Sequence, residues 1–336
     1  MITLPIPLVV SLVLGFLLVR ALFLRRLPWL FLALLASCCV QGLIVSLCQH
    51  YGFTNLLVIQ PVTATLIPPL AWVAFLTTAI RSPDPWRDAG HLLVPAFVLF
   101  CVLVAPQTLD FVVPAVFVIY GALLLNALRA GADSLPMTRL EAGNLPMIVW
   151  RTIAASLIAS AVSDVLIAGV LAFGHQWLQP VILSLFSSLW LLAIGTLSLS
   201  QSLGDRDMSP PEPLVEAGEA GEPDTALMAQ LQGILENEKL YLDPGLTLAR
   251  ISRRLHVPAK RLSTAVNRSS GDNVSRYING FRIHHACQLL ESGASVTMAM
   301  LDSGFNTKSN FNREFLRVMG KAPSDWLADR RSKQMA

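Results

Sequence analysis

Near residue 200 the spacing of apolar positions changes. Before it they run in long, nearly unbroken blocks; after Asp224 they recur every three or four residues, with polar residues between. A helix needs about 20 mostly apolar residues to cross about 30 Å of hydrocarbon. Seven blocks meet or approach that length: residues 4–24, 28–48, 56–80, 91–105, 109–128, 147–173 and 180–200. The fourth is the shortest and contains Pro95. The first reads as a span rather than a cleaved signal peptide, because no basic residue precedes it and Arg25-Arg26 follow it.

The later period predicts soluble helices. Leu227, Leu231, Ile234 and Leu235 share one stripe of a first helix. Asp243-Pro244-Gly245 signals a turn, and Thr247 is a cap for a second helix that turns Leu248, Ile251 and Leu255 inward. His256-Val257 break the chain. Pro258 suits the first turn of a third helix, where its missing N–H is not needed. That helix buries Leu262 and Val266 and presents Lys260, Arg261, Ser263, Thr264, Asn267 and Arg268. A longer helix over 273–291 follows, ended by Gly293. Then the unit repeats. Val296, Met300 and Leu301 lie on a short helix, Gly304-Phe305 form the turn, and Thr307 caps a helix with Phe311, Phe315 and Val318 inside. Its outer side carries Lys308, Ser309, Asn312, Arg313 and Arg317. Two short helices joined by a tight turn, the second with a polar, basic face, make a helix-turn-helix.

These readings predict an all-α chain in three parts: a seven-helix transmembrane bundle at 1–200, a flexible linker at 201–223 rich in Pro, Gly and acids, and a DNA-binding domain at 224–336. Charge sharpens the division. Residues 1–200 hold eight Arg, no Lys, five Asp and one Glu, whereas 224–336 hold sixteen basic against ten acidic residues, a local net of +6. Arg25, Arg26, Arg81, Arg87, Arg129 and Arg139 all fall in alternate connections, with Arg20 and Arg151 at span ends. The connections at 49–55, 106–108 and 174–179 hold none. Basic loops stay in the cytoplasm, so the expected topology is that of a multi-pass protein of the cytoplasmic (inner) membrane, with the N-terminus outside and the C-terminal domain inside. The five cysteines have no metal-ligand spacing and read as small buried hydrophobes.

In the membrane half, Asp164 lies mid-span beside Ser163. A carboxylate there is costly, about 2.5–3.5 kcal/mol, so it reads either as a signal-sensing site or as an interhelical hydrogen bond, for example to Ser184 or Ser187. Pro61, Pro68, Pro69, Pro95 and Pro114 would kink helices. Trp29, Trp86, Trp150 and Trp177 sit near span ends and suit interfacial anchoring. His50, Asp110 and His175 share the outer side, where together they would sense pH or bind a metal; nothing beyond sidedness supports this.

The chain carries Tyr277-Ile278-Asn279-Gly280-Phe281-Arg282-Ile283, Ala286 and Leu289-Leu290, then Gly304-Phe305, Phe311, Arg313, Phe315, Gly320 and Pro323. By these residues and their spacing, 225–330 resembles the AraC/XylS-type DNA-binding domain. The resemblance covers the last third of the chain. It implies seven helices, with two recognition helices on one rigid connecting helix entering adjacent major grooves of promoter DNA. The family's base-reading positions match Lys260, Ser263 and Thr264, then Ser309 and Arg313, with Arg261, Arg268, Lys308 and Asn312 beside them. Arg clamps guanine, Asn clamps adenine, and Ser or Thr reads either; the alternative for all of them is phosphate contact, and for Arg313 a structural salt bridge. The resemblance also implies activation through RNA polymerase and work in pairs, hence a homodimer. Two departures stand out. Pro258 replaces a Ser cap, and Lys260 replaces an aromatic or polar residue, so the target sequence does not carry over. His284-His285 read as packing and surface.

A regulator that reads DNA while held in the lipid bilayer would report a signal met at the envelope, whether a small apolar molecule, a lipid, an ion or an outside condition. The rival is a membrane transporter or enzyme with a regulatory tail. No H-E-x-x-H, G-x-S-x-G, P-loop or acid pair favours it, and neither an enzymatic activity nor a cofactor is expected.

Overall fold

A computed structural model describes residues 5–24, 28–131, 135–143, 145–200 and 222–335. The chain is all-α; among the described residues the sole extended pairing is one antiparallel bridge, Arg139 with Thr247. It divides into two compact units: Met1–Arg129 with Ile148–Thr196, and Ala130–Met147 with Leu197–Ala336. Arg25, Arg26 and residues 201–221 of the expected linker lie outside the described residues.

The first unit contains α1 (Ile6–Leu24), α2 (Trp29–Gln49), α3 (Gln60–Phe75), the short α4 (Pro85–Ala89), α5 (Leu93–Val104), α6 (Leu109–Ala127), most of α7 (Leu145–Ala172) and most of α8 (Gln179–Ser200). Six stretches among the described residues are long and apolar enough to cross a membrane: Ile6–Phe23, Trp29–Gln49, Gln60–Ile80, Pro85–Val104, Pro106–Ala127 and Leu145–Ala172. They overlap the first six expected spans; the largest difference is in the fourth, which starts at Pro85 and not at residue 91. The seventh coincides with α8, 22 residues without a charge, whose side chains from Trp190 onward lie outside the described residues.

Close packing in this unit uses small residues. A Cβ on Gly121 of α6 would stand 2.7 Å from Ile158 and 3.2 Å from the Ala154 carbonyl of α7, and one on Gly42 of α2 would meet Ser11 of α1 at 3.1 Å. Ser11 donates to the Cys39 carbonyl at 2.6 Å, and Thr63 of α3 to Gln41 of α2 at 2.7 Å. Such bonds satisfy polar groups within an apolar unit. Pro68 and Pro69 sit inside α3 and remove two helix donors; a π turn, Leu76–Ile80, follows. Trp150 departs from expectation. It is buried, with Phe31 and Phe75 edge-on at 6.0 and 5.2 Å, so it is a packing centre for α2, α3 and α7 and not an anchor. Trp29, Trp86 and Trp177 are exposed.

The second unit contains α9 (Glu222–Glu238), α10 (Leu248–Arg254), α11 (Ala259–Ser270), α12 (Val274–Glu291), α13 (Val296–Asp302), α14 (Lys308–Met319) and α15 (Pro323–Met335). Two cores lie along α12. Leu231, Leu235, Leu246, Ile251, Leu262 and Val274 form one; Ile283, Leu290, Phe305, Phe311, Phe315 and Trp326 form the other. Each fully buried Leu or Phe contributes about 1.5–3 kcal/mol. The caps follow local chemistry. Thr247, Asn273 and Ser295 accept backbone N–H bonds at 3.2, 2.9 and 3.3 Å, and Gly293 and Gly320 end α12 and α14 with positive φ. Pro258 is the residue before α11 and not within its first turn. Thr307 occupies the cap position of α14 but its hydroxyl makes no cap bond.

Candidate nucleic-acid interface

The first helix-turn-helix is α10 and α11. Its turn needs His256 at φ +55° and is closed by Val257 N–H on the Ser252 carbonyl at 3.0 Å. Leu262, Ala265 and Val266 of α11 are fully buried, which turns Lys260, Arg261 and Arg268 outward to solvent and leaves Ser263 and Thr264 half-buried. Thr264 bonds back to the Lys260 carbonyl at 2.9 Å. Arg268 is drawn to Asp224 of α9 at 3.3 Å, so it already serves a structural pair.

The second unit is α13 and α14. Gly304 is required in its turn. Its φ is +86°, and a Cβ there would stand 2.8 Å from the carbonyl oxygens of both Tyr241 and Leu242. Phe311 and Phe315 anchor α14 in the core. Lys308 is exposed; Ser309, Asn312 and Arg313 are half-buried. Arg313 donates to the Asn310 side chain and lies 3.8 Å from Glu314. Arg317 ties α14 to the start of α12, with Glu314 at 2.9 Å, Asp272 at 3.7 Å and the Arg276 carbonyl at 3.0 Å.

Between the two units lies a group that sequence reading names only as part of a motif. Arg282 is fully buried. Its guanidinium donates to the Tyr241 carbonyl at 2.6 Å, the Asp243 carbonyl at 2.9 Å and Asn279 Oδ1 at 3.1 Å, and lies over the Phe305 ring at 5.7 Å. Burial lowers its pKa to about 10, opposed by the carboxylates of Glu141 and Asp243; it stays charged at neutral pH. Arg282 thus fixes α12, the turn after α9 and the second helix-turn-helix to one another.

Glu141 was missed altogether. It is 5% exposed, and its carboxylate accepts the Asn306 backbone N–H at 2.9 Å and Asn306 Nδ2 at 3.2 Å. Its own carbonyl accepts from Asn310 Nδ2. A signal for it was present, since it is the single Glu in the first 200 residues, but it stands in no local period. His285 packs edge-on against Tyr241 at 6.0 Å while His284 is exposed.

A helix-turn-helix domain family matches residues 251–329. That match supports the AraC-type reading of the C-terminal part and covers the first unit from Ile251 onward and the whole of the second. No curated protein and no solved structure matches the chain. The helix-turn-helix domain and the apolar helices before it are therefore the features that bear on function.

Asp164, the candidate signal-sensing residue, is half-buried on α7 beside the buried Ser163. No hydrogen bond from it to Ser184 or Ser187 forms among the described residues. His50, Asp110 and His175 form no metal-binding group, nor do any three His, Cys, Asp or Glu among the described residues.

Proposed function

We propose that this chain is a membrane-anchored, sequence-specific DNA-binding transcription regulator. The observation that carries the reading is the pairing of two helix-turn-helix units on one rigid helix with a preceding set of long apolar helices. Lys260, Arg261, Ser263, Thr264 and Arg268 of the first unit and Lys308, Ser309, Asn312 and Arg313 of the second face promoter DNA, in major grooves about 34 Å apart. The apolar bundle senses an envelope signal or small molecule, with Asp164 as the responsive group. The domain activates transcription through RNA polymerase and works as a homodimer.

Two arguments support an outside N-terminus and a cytoplasmic C-terminal unit. One is the confinement of arginines to alternate connections. The other is independent of charge. Residues 130–147 belong to the same compact unit as the DNA-binding helices, which favours placing the α6–α7 connection and the C-terminus on one side of the membrane. Two crossings, α7 and α8, lie between them, and an even number meets that requirement.

Binding of the full-length protein in lipid nanodiscs to promoter fragments from its own locus tests the reading. The logarithm of the affinity is expected to fall linearly with log salt, a loss of about 10³–10⁵ fold between 50 and 200 mM for six to ten phosphate contacts. Absence of any salt-sensitive binding would sink it. Asp164→Asn is expected to change target-gene output; unchanged output under every condition would make the bundle a passive anchor.

A further inference from the structure

We infer that residues 135–143 are a strap that completes the DNA-binding domain, and that Glu141 is the positioning residue for its second recognition helix. The inference rests on the DNA-binding reading above. In sequence the strap at 135–143 lies between two apolar helices, well before α9 begins at Glu222. In space it is built into the domain. Leu140 is 6% exposed and belongs to the core of Leu231, Leu246, Ile251 and Val274. Its N–H bonds the Leu246 carbonyl at 3.0 Å, and the Ala249 N–H bonds the Pro136 carbonyl at 2.9 Å. The Ser275 hydroxyl, at the start of α12, donates to the Leu140 carbonyl. One nine-residue segment therefore touches the start of α10, the start of α12 and the start of α14.

The contact with α14 is the one with functional reach. A helix begins with backbone N–H groups that lack partners, and Thr307 leaves its cap role unfilled. The Glu141 carboxylate takes the N–H of Asn306 just ahead of the helix, where a negative charge is favoured. The Glu141 carbonyl fixes Asn310, and Asn310 Oδ1 holds Arg313. A chain of hydrogen bonds thus runs from the strap to the side chain proposed to read a base. Gly143 lets the strap pass: its φ is +57°, and a Cβ there would stand 3.0 Å from the Arg313 guanidinium. Four residues beyond Glu141, α7 begins at Leu145 and continues unbroken to Ala172. Asp164 lies on that same helix. A shift of α7 would reach Glu141, and through it the second recognition helix, along a few residues of backbone.

The test uses the full chain in nanodiscs, with a promoter fragment that the wild type protects from cleavage. Glu141→Ala is expected to weaken binding at least tenfold and to lose protection over the part of the site read by the second unit, while the first unit's protection remains. Glu141→Gln, which keeps an acceptor oxygen for Asn306, is expected to recover part of both. Equal affinity and an unchanged footprint in Glu141→Ala would overturn the inference, and so would tighter binding, which would make the strap a mask. A second measurement does not depend on removing Glu141. Arg139 and Thr247 are opposed across an antiparallel bridge, flanked by the Leu140–Leu246 bond, which makes them a non-hydrogen-bonded pair with Cα atoms about 4.5 Å apart, within disulfide range. Arg139→Cys with Thr247→Cys is expected to crosslink under mild oxidation, as read by peptide mapping, and to keep operator affinity within about twofold. No crosslink, or loss of binding on oxidation, would overturn the strap. If the wild type bound no DNA at all, the functional reading would fail, and crosslinking would still decide whether the strap is docked.

Discussion

Phe23 and Phe111 of the first unit are 85% and 79% exposed, whereas Phe311 and Phe315 of the second are fully buried. The same side chain is used in opposite ways. In the second unit the hydrophobic effect organises the fold: aromatic and aliphatic residues converge on two cores along α12, and polar residues cover the outside. The first unit turns much of its apolar surface outward, and its interior combines glycine contacts and hydroxyl bonds with a few buried aromatics such as Phe75 and Trp150. Exposed apolar area on that scale is rare for a protein surrounded by water and is ordinary for one surrounded by lipid. The difference teaches that the two regions must be tested by different means. Disrupting a polar anchor should damage the second, and enlarging a small residue should damage the first.

The largest effect is expected at Arg282. Arg282→Met would leave the carbonyls of Tyr241 and Asp243 without their donor, at a cost of about 3–5 kcal/mol. Hydrogen exchange on the full-length protein should show protection lost across α10–α15 and retained in the apolar helices; equal loss in both would break the comparison. Gly304→Ala comes next. Its positive φ and the two carbonyl oxygens at 2.8 Å allow no Cβ, and a cost of about 2–3 kcal/mol is expected, seen as a lower thermal midpoint for the same unit. Gly121→Leu makes the converse test: it should separate α6 from α7 and lower the detergent resistance of the bundle, with the domain's own exchange pattern unchanged.

Arg313→Ala is expected to leave both folds intact and weaken operator binding by about 1–3 kcal/mol, measured by anisotropy. The smallest effect is at low pH. The Asp243 carboxyl is held below the ordinary range by the Gly245 N–H first, and then by Arg250 and Arg282, against its own desolvation. A depressed carboxylate stabilises the fold above its unfolded pKa, about 3.9, and the contribution fades as pH falls through the lower folded value. Asp243→Asn should therefore lower stability slightly at neutral pH and leave less of it to lose in acid, read from acid-unfolding midpoints.

Much of this was legible in the sequence, because spans and amphipathic helices announce themselves locally. The block expected at 147–173 is α7, Leu145–Ala172, and Thr247 caps α10 as its position implied. What was not legible depends on distant partners. Glu141 and Leu140 sit in a short connection without a period, and their partners lie more than a hundred residues away. Trp150 looked like an interfacial anchor because only its distance from a span end is visible in sequence; its burial comes from Phe31 and Phe75 on other helices. Thr307 has the right type and place for a cap, yet Asn306 is satisfied from elsewhere. Of the candidate reading residues, the structure turns Lys260, Arg261 and Lys308 outward and engages Arg268 and Arg313 with neighbours, a distinction that spacing cannot make.

The most direct test of the central claim is genome occupancy of the full-length protein in its host, beside Arg313→Ala, with both proteins recovered in the membrane fraction. Discrete peaks that vanish or weaken sharply in the variant are the predicted result. A membrane-inserted wild type that occupies no sites, or peaks indifferent to Arg313, would contradict the account.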